Sequence, residues 1–125
     1  MIKREAKSGV LFRHWLKANP QFDCSYEMKD TRGKDYLNFS AVKDNQISYA
    51  QAIQSDKGTL IRVQGTNGEP DYVYLRSAPA YIVLKYPKSF QIIKIREFLL
   101  EKSSSERKSL TEARAKHIAV ISVKL

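Results

Sequence analysis

The sequence predicts a single α/β domain, a central mixed β-sheet flanked by helices, on three observations. Apolar residues recur at three- and four-residue spacing over residues 2 to 18. They alternate strictly with polar ones from Phe22 to Lys29. Helix-like and strand-like stretches then succeed one another to the C-terminus with no repeat and no linker. At 125 residues the chain matches one domain, residues 1 to 125, able to bury about two thirds of its unfolded surface.

The first helix is expected over residues 2 to 18, where Leu11, Phe12, Trp15 and Leu16 form an apolar stripe and Asn19-Pro20 ends the run. From Phe22 to Lys29, Phe22, Cys24, Tyr26 and Met28 share one face of a strand, and Asp23, Ser25, Glu27 and Lys29 the other. Asp30-Thr31-Arg32-Gly33-Lys34 has turn chemistry, so the extended segment Tyr36 to Phe39 reads as the hairpin partner of that strand. Ser40 is the expected cap of a second helix, about 41 to 54, closed by Gly58. Strands follow at Leu60 to Val63 and Tyr72 to Leu75, around a Thr-Asn-Gly-Glu-Pro turn, and then at Tyr81 to Leu84 and Phe90 to Ile95. A short helix is expected around Arg96 to Leu100 and a polar, serine-rich loop from Lys102 to Lys108. Ser109-Leu110-Thr111-Glu112 matches a capping box for a last helix, and Ile118 to Val123 ends the domain as a strand or buried tail.

Composition narrows the function. Twenty-two Lys and Arg against 13 Asp and Glu give a net charge of +9, which makes a polyanion the natural partner. One cysteine, Cys24, excludes an internal disulfide, and with only His14 and His117 beside it a closed zinc site is excluded too; a cytoplasmic location is expected. No stretch approaches the roughly 20 apolar residues needed to cross a bilayer, so no membrane partner is expected.

Chemistry concentrates at Glu27 and Lys29, which lie about 7 Å apart along one strand face. A carboxylate there suits a Mg²⁺ (or Mn²⁺) ion that polarises a phosphate, and the lysine suits a role in orienting the attacking water and offsetting negative charge. The same spacing also fits an ion-pairing strand surface. Glu5 lies on the helix face of Gly9, Phe12 and Leu16, where a carboxylate needs either a metal or a lysine partner, and Gly9 is expected to leave room for a close approach.

The order of a helix acid, a Glu-x-Lys strand, an extended segment, a helix with glutamine and a strand resembles the PD-(D/E)XK nuclease superfamily over about residues 3 to 85, in particular RecU-type and phage Holliday junction resolvases. Lys29-Asp30-Thr31 and Asn38-Phe39-Ser40 also resemble segments of that family. The resemblance implies a restriction-endonuclease-like core, metal-binding Glu5 and Glu27, catalytic Glu27 and Lys29, and Gln46 of Asn45-Gln46 as the helix glutamine. It also implies a homodimer acting on branched DNA. The middle acid departs from the pattern: Asp23 is the nearest candidate, yet four residues of regular strand place it about 13 Å from Glu27. Pro70-Asp71 comes after the Glu-x-Lys element and is out of order.

For nucleic-acid binding the candidates are Lys85, Lys88, Lys94 and Arg96, interleaved with Tyr86 and Phe90, which either stack on bases or belong to the core. Arg32 and Lys34 in the turn would flank the scissile phosphate, with Arg107-Lys108 and Arg114 and Lys116 extending the patch. The strands at 72 to 75 and 81 to 84 fit either a core or a dimer surface. Two competing functions share this composition: a non-catalytic nucleic-acid-binding protein, and a protein-binding inhibitor module whose positive surface meets an acidic partner.

Overall fold

The computed structural model describes residues 4–22, 25–64 and 68–125. Helix α1 (Arg4–Ala18) forms on the expected stripe and stops before Pro20, which opens a single 3-10 turn (Pro20–Phe22). Phe12 is the fully buried residue of that stripe, with Trp15 and Leu16 packed beside it. Gly9 makes no room for a neighbour: a Cβ there would only meet the Arg13 guanidinium at 3.7 Å.

Strand β1 (Ser25–Asp30) lies at the edge of a four-stranded sheet and runs parallel to β5 (Ala80–Tyr86). β5 pairs antiparallel with β6 (Ser89–Lys94), and β6 with β8 (Ile121–Lys124), so the sheet is mixed. Central β5 is covered on both faces: Ala80, Ile82, Leu84 and Tyr86 point to one core and Val83 to the other. The first core lies under α2 (Asp44–Gln54), α3 (Ile95–Ser104) and α4 (Glu112–Ile118) and contains Ile47, Ile53, Phe98 and Ala115. The second lies under α1, where Phe12 meets Tyr26 edge-on at 4.6 Å and Phe90 at 5.5 Å.

Several expectations are corrected. β2 (Tyr36–Asn38) does not fold back on β1; it pairs antiparallel with β7 (Ser109–Thr111), far along the chain, because Leu37 and Leu110 sit opposite each other and both are buried. Ser40 does not cap α2. Phe39 and Val42 are drawn into the core through a 3-10 turn (Phe39–Ala41), and the helix starts at Asp44 with Lys43 as cap. Ser109 is a strand residue, and Thr111 caps α4 by accepting the Arg114 N–H at 3.3 Å. Helix α3 runs on to Ser104, taking in the first part of the expected loop, with the Ser103 and Ser104 hydroxyls donating to the Leu100 carbonyl. Tyr86 and Phe90 are core residues at 0% and 1% exposure, so neither stacks on a base.

β3 (Thr59–Gln64) and β4 (Pro70–Leu75) form a separate antiparallel ribbon. Under α4 a polar chain runs from Gln91 Nε2 to Ser89 Oγ (2.8 Å) and on to Glu112 Oε2 (2.9 Å). Among the described residues no helix is long and apolar enough to cross a membrane.

Candidate functional site

Residues along β1 alternate between the two sheet faces. Tyr26 and Met28 join the core beneath α1, whereas Glu27 and Lys29 stand in register beside Ile82 and Leu84 and so face the α2 side. The expected pair therefore shares one face, and that face is partly covered by a helix.

Gln46 is what α2 brings to it. In the first turn of the helix, its Oε1 accepts the Lys43 N–H at 2.9 Å and so caps a backbone donor. That bond fixes which way the amide points, and Nε2 donates to Glu27 Oε1 at 2.8 Å. One side chain thus caps the helix and ties it to the carboxylate on β1. Glu27 and Gln46 open on a cavity of about 260 Å³, whose other walls include Ser25, Tyr49, Ile61 and Tyr81.

Along the same strand face lies a second groove, about 390 Å³, lined by Lys29, Arg32, Lys34, Tyr36 and Asn38. It is basic because the turn after β1 supplies two of its three cations, and Lys34 Nζ stands 5.4 Å from the centre of the Tyr36 ring. Asp30 builds this turn. Its buried carboxylate accepts the Ser8 hydroxyl of α1 on Oδ2 and the Arg32 N–H on Oδ1, both at 2.6 Å. The second bond holds Arg32 in the left-handed region, at φ 58°. Thr31 adds its N–H and its hydroxyl to the Lys85 carbonyl, both at 3.0 Å, so the turn is pinned to the end of β5 as well. Reading the sequence assigned Asp30 only to a turn. The further signal was Ser8, one helical turn before Phe12 on the packing face of α1.

The other expected residues divide. Lys85 and Lys88 sit at the end of the β5–β6 hairpin near the Arg32 turn, and Lys85 Nζ donates to the Tyr86 carbonyl at 2.7 Å. Lys94 and Arg96 lie at the opposite end of β6, about 17 Å away along the strand. The stretch Lys85 to Arg96 is therefore two separate basic regions: a hairpin carries its two ends apart from its turn. Arg114 is engaged by Glu101, with Nε–Oε1 at 2.7 Å and Nη2–Oε2 at 3.0 Å, which raises the guanidinium pKa further. The side chain of Glu5 and the whole of Asp23 lie outside the described residues, as does Cys24. Among the described residues, no strand precedes β1.

No protein-family model, no curated protein and no solved structure matches this chain.

Proposed function

We propose that this chain is a metal-dependent endonuclease of the PD-(D/E)XK type, with a restriction-endonuclease-like core, acting on branched DNA in the manner of a Holliday junction resolvase. The observation that carries the reading is the 2.8 Å contact between Gln46 and Glu27. It joins, across 19 residues, the helix glutamine and the strand acid that this chemistry needs side by side, with Lys29 next on the same strand face. The topology lends support, since after α2 and the β3–β4 ribbon the chain returns in β5 as the parallel neighbour of the Glu-x-Lys strand.

A carboxylate at the wall of a cavity beside an amide suits a hard divalent cation, which takes one or two carboxylates and completes its shell with water and phosphate oxygens. Glu27 would hold Mg²⁺ or Mn²⁺, with Glu5 and Asp23 as further candidate ligands. Bound there, the metal supplies Lewis-acid polarisation of the phosphate and a more acidic water. Gln46 holds the Glu27 carboxylate in one orientation. Lys29, next on the same strand face, would offset negative charge that builds on the phosphate. Arg32 and Lys34 draw the DNA backbone into the basic groove beside the cavity. A junction offers two equivalent strands, so a two-fold homodimer working in the cytoplasm completes the proposal.

The test is cleavage of labelled four-way junction, duplex and single-stranded DNA with Mg²⁺, Mn²⁺ or chelator. The expected result is metal-dependent cutting that prefers the junction and vanishes in Glu27→Ala. Lys29→Ala should cost about 10²- to 10⁴-fold, and Gln46→Ala about 10- to 100-fold. Binding without cutting under every condition would overturn the nuclease reading. It would favour a non-catalytic nucleic-acid-binding protein in which the Glu27–Gln46 bond only ties α2 to β1.

A further inference from the structure

Among the described residues the β3–β4 ribbon pairs with no other strand, and its outward face is apolar and aromatic. The register sets Leu60 opposite Tyr74 and Arg62 opposite Tyr72, so these four side chains share one face. Leu60, Tyr72 and Tyr74 are 62%, 58% and 55% exposed, and Arg62 is exposed among them. The reverse face carries Ile61 and Leu75, which pack on the core and hold the ribbon to the domain. Packing thus accounts for Ile61 and Leu75, leaves Val73 beside them 43% exposed, and leaves the face with the two tyrosines uncovered.

We propose that this face is a stacking surface for the unpaired bases of nucleic acid, with Tyr72 and Tyr74 as the platforms and Arg62 meeting the phosphates. Flat, sequence-tolerant rings with an interleaved cation are what single-strand binding uses. The two rings start about 7 Å apart along β4, roughly twice the 3.4 Å step between stacked nucleotides, so each meets its own base. Charge selects the occupant. The chain carries +9, and the four residues of the face add a cation and no acid. Asp71, beside Tyr72, keeps its Oδ1 on the Tyr72 N–H at 2.8 Å. A second copy docking on the same face would set two like faces, each with a cation and no acid, against one another, which disfavours it. Ile61, on the reverse of the ribbon, lines the Glu27–Gln46 cavity, so the ribbon that carries the two tyrosines is also a wall of the candidate site.

The proposal shares its nucleic-acid partner with the function proposed above but needs no cleavage, so it is tested in chelator. Fluorescence anisotropy would compare a labelled oligothymidylate with a blunt duplex of equal length. Tyr72→Ala and Tyr74→Ala should each weaken oligothymidylate binding by about 5- to 150-fold, the loss of one base–aromatic stack. The double variant Tyr72→Phe, Tyr74→Phe should bind like wild type, and duplex affinity should barely move. Failure of cleavage with this pattern intact would count against the nuclease reading alone. The proposal is overturned if folded alanine variants bind oligothymidylate like wild type, or if wild type binds none. It is equally overturned if the variants instead dissociate a dimer in sedimentation while binding is unchanged, which would make the ribbon a protein interface.

Discussion

Replacing Gly58 by alanine makes two demands on the backbone where α2 hands over to the ribbon. Gly58 has φ +69°, a left-handed conformation that costs an L-residue about 1–2 kcal/mol. The added Cβ would also stand 2.3 Å from the Leu75 carbonyl oxygen and 2.6 Å from Arg76 Cβ. Neither is the far end of a flexible side chain, so β4 must move, at about 1–3 kcal/mol by analogy with overpacked cores. The sum is about 2–5 kcal/mol, a large share of the roughly 5–15 kcal/mol that holds a domain. At about 2.1 cal/mol/K per residue, 125 residues turn that into a fall in Tm of about 8 to 19 °C, read by circular dichroism. Gly68→Ala is the control: its φ is +76° but none of the described residues lies within 4 Å, so only the conformational cost applies and Tm should fall by about 4 to 8 °C. Equal losses in the two variants would refute the argument that the Leu75 and Arg76 backbone sets the size of the Gly58 effect.

Tyr86→Phe removes the hydroxyl that donates to the Leu110 carbonyl at 2.8 Å and should cost about 1 kcal/mol at neutral pH in urea titrations. Burial, and then the nearby Glu112 and Asp35, hold the Tyr86 phenol protonated far above its usual range near pH 10. Its folded pKa is raised, so its contribution is full below about pH 10 and is lost as the pH climbs above it; the phenylalanine variant lacks that loss, and the gap between the two proteins should narrow there. A constant gap would show that Tyr86 is not shielded in this way. Asp30→Ala strands the Ser8 hydroxyl and the Arg32 N–H and should cost about 2–3 kcal/mol in the same titrations, with Asp30→Asn between it and wild type; an unchanged midpoint would remove Asp30 as the anchor of the turn. In DNA-binding measurements across a salt series, Lys34→Ala should lower the slope of log K against log salt by about one. Lys94→Ala, at the far end of β6, should leave that slope alone, and equal effects would contradict the division into two basic regions.

Local backbone geometry is what a sequence can express by itself, and here it did so wherever one face of an element is apolar. The 3.6-residue stripe of α1 and the two-residue alternation of β1 placed Phe12 and Tyr26 inward, and set Glu27 and Lys29 together on the opposite face of their strand. Charge and turn chemistry identified the Arg32–Lys34 turn as basic. Partner choice was decided by tertiary burial, because a strand's own pattern does not say which distant strand completes it. Leu37 found Leu110 instead of β1, and Tyr86 and Phe90 went to opposite faces of a covered sheet despite their lysine neighbours. The contact at the centre of the candidate site is of the same kind. Gln46 reaches Glu27 because Phe39 and Val42, pulled into the core, delay the start of α2 until Gln46 stands at its first turn, facing the strand. The residues and their chemistry were written locally; their meeting depended on which apolar groups had to be buried together.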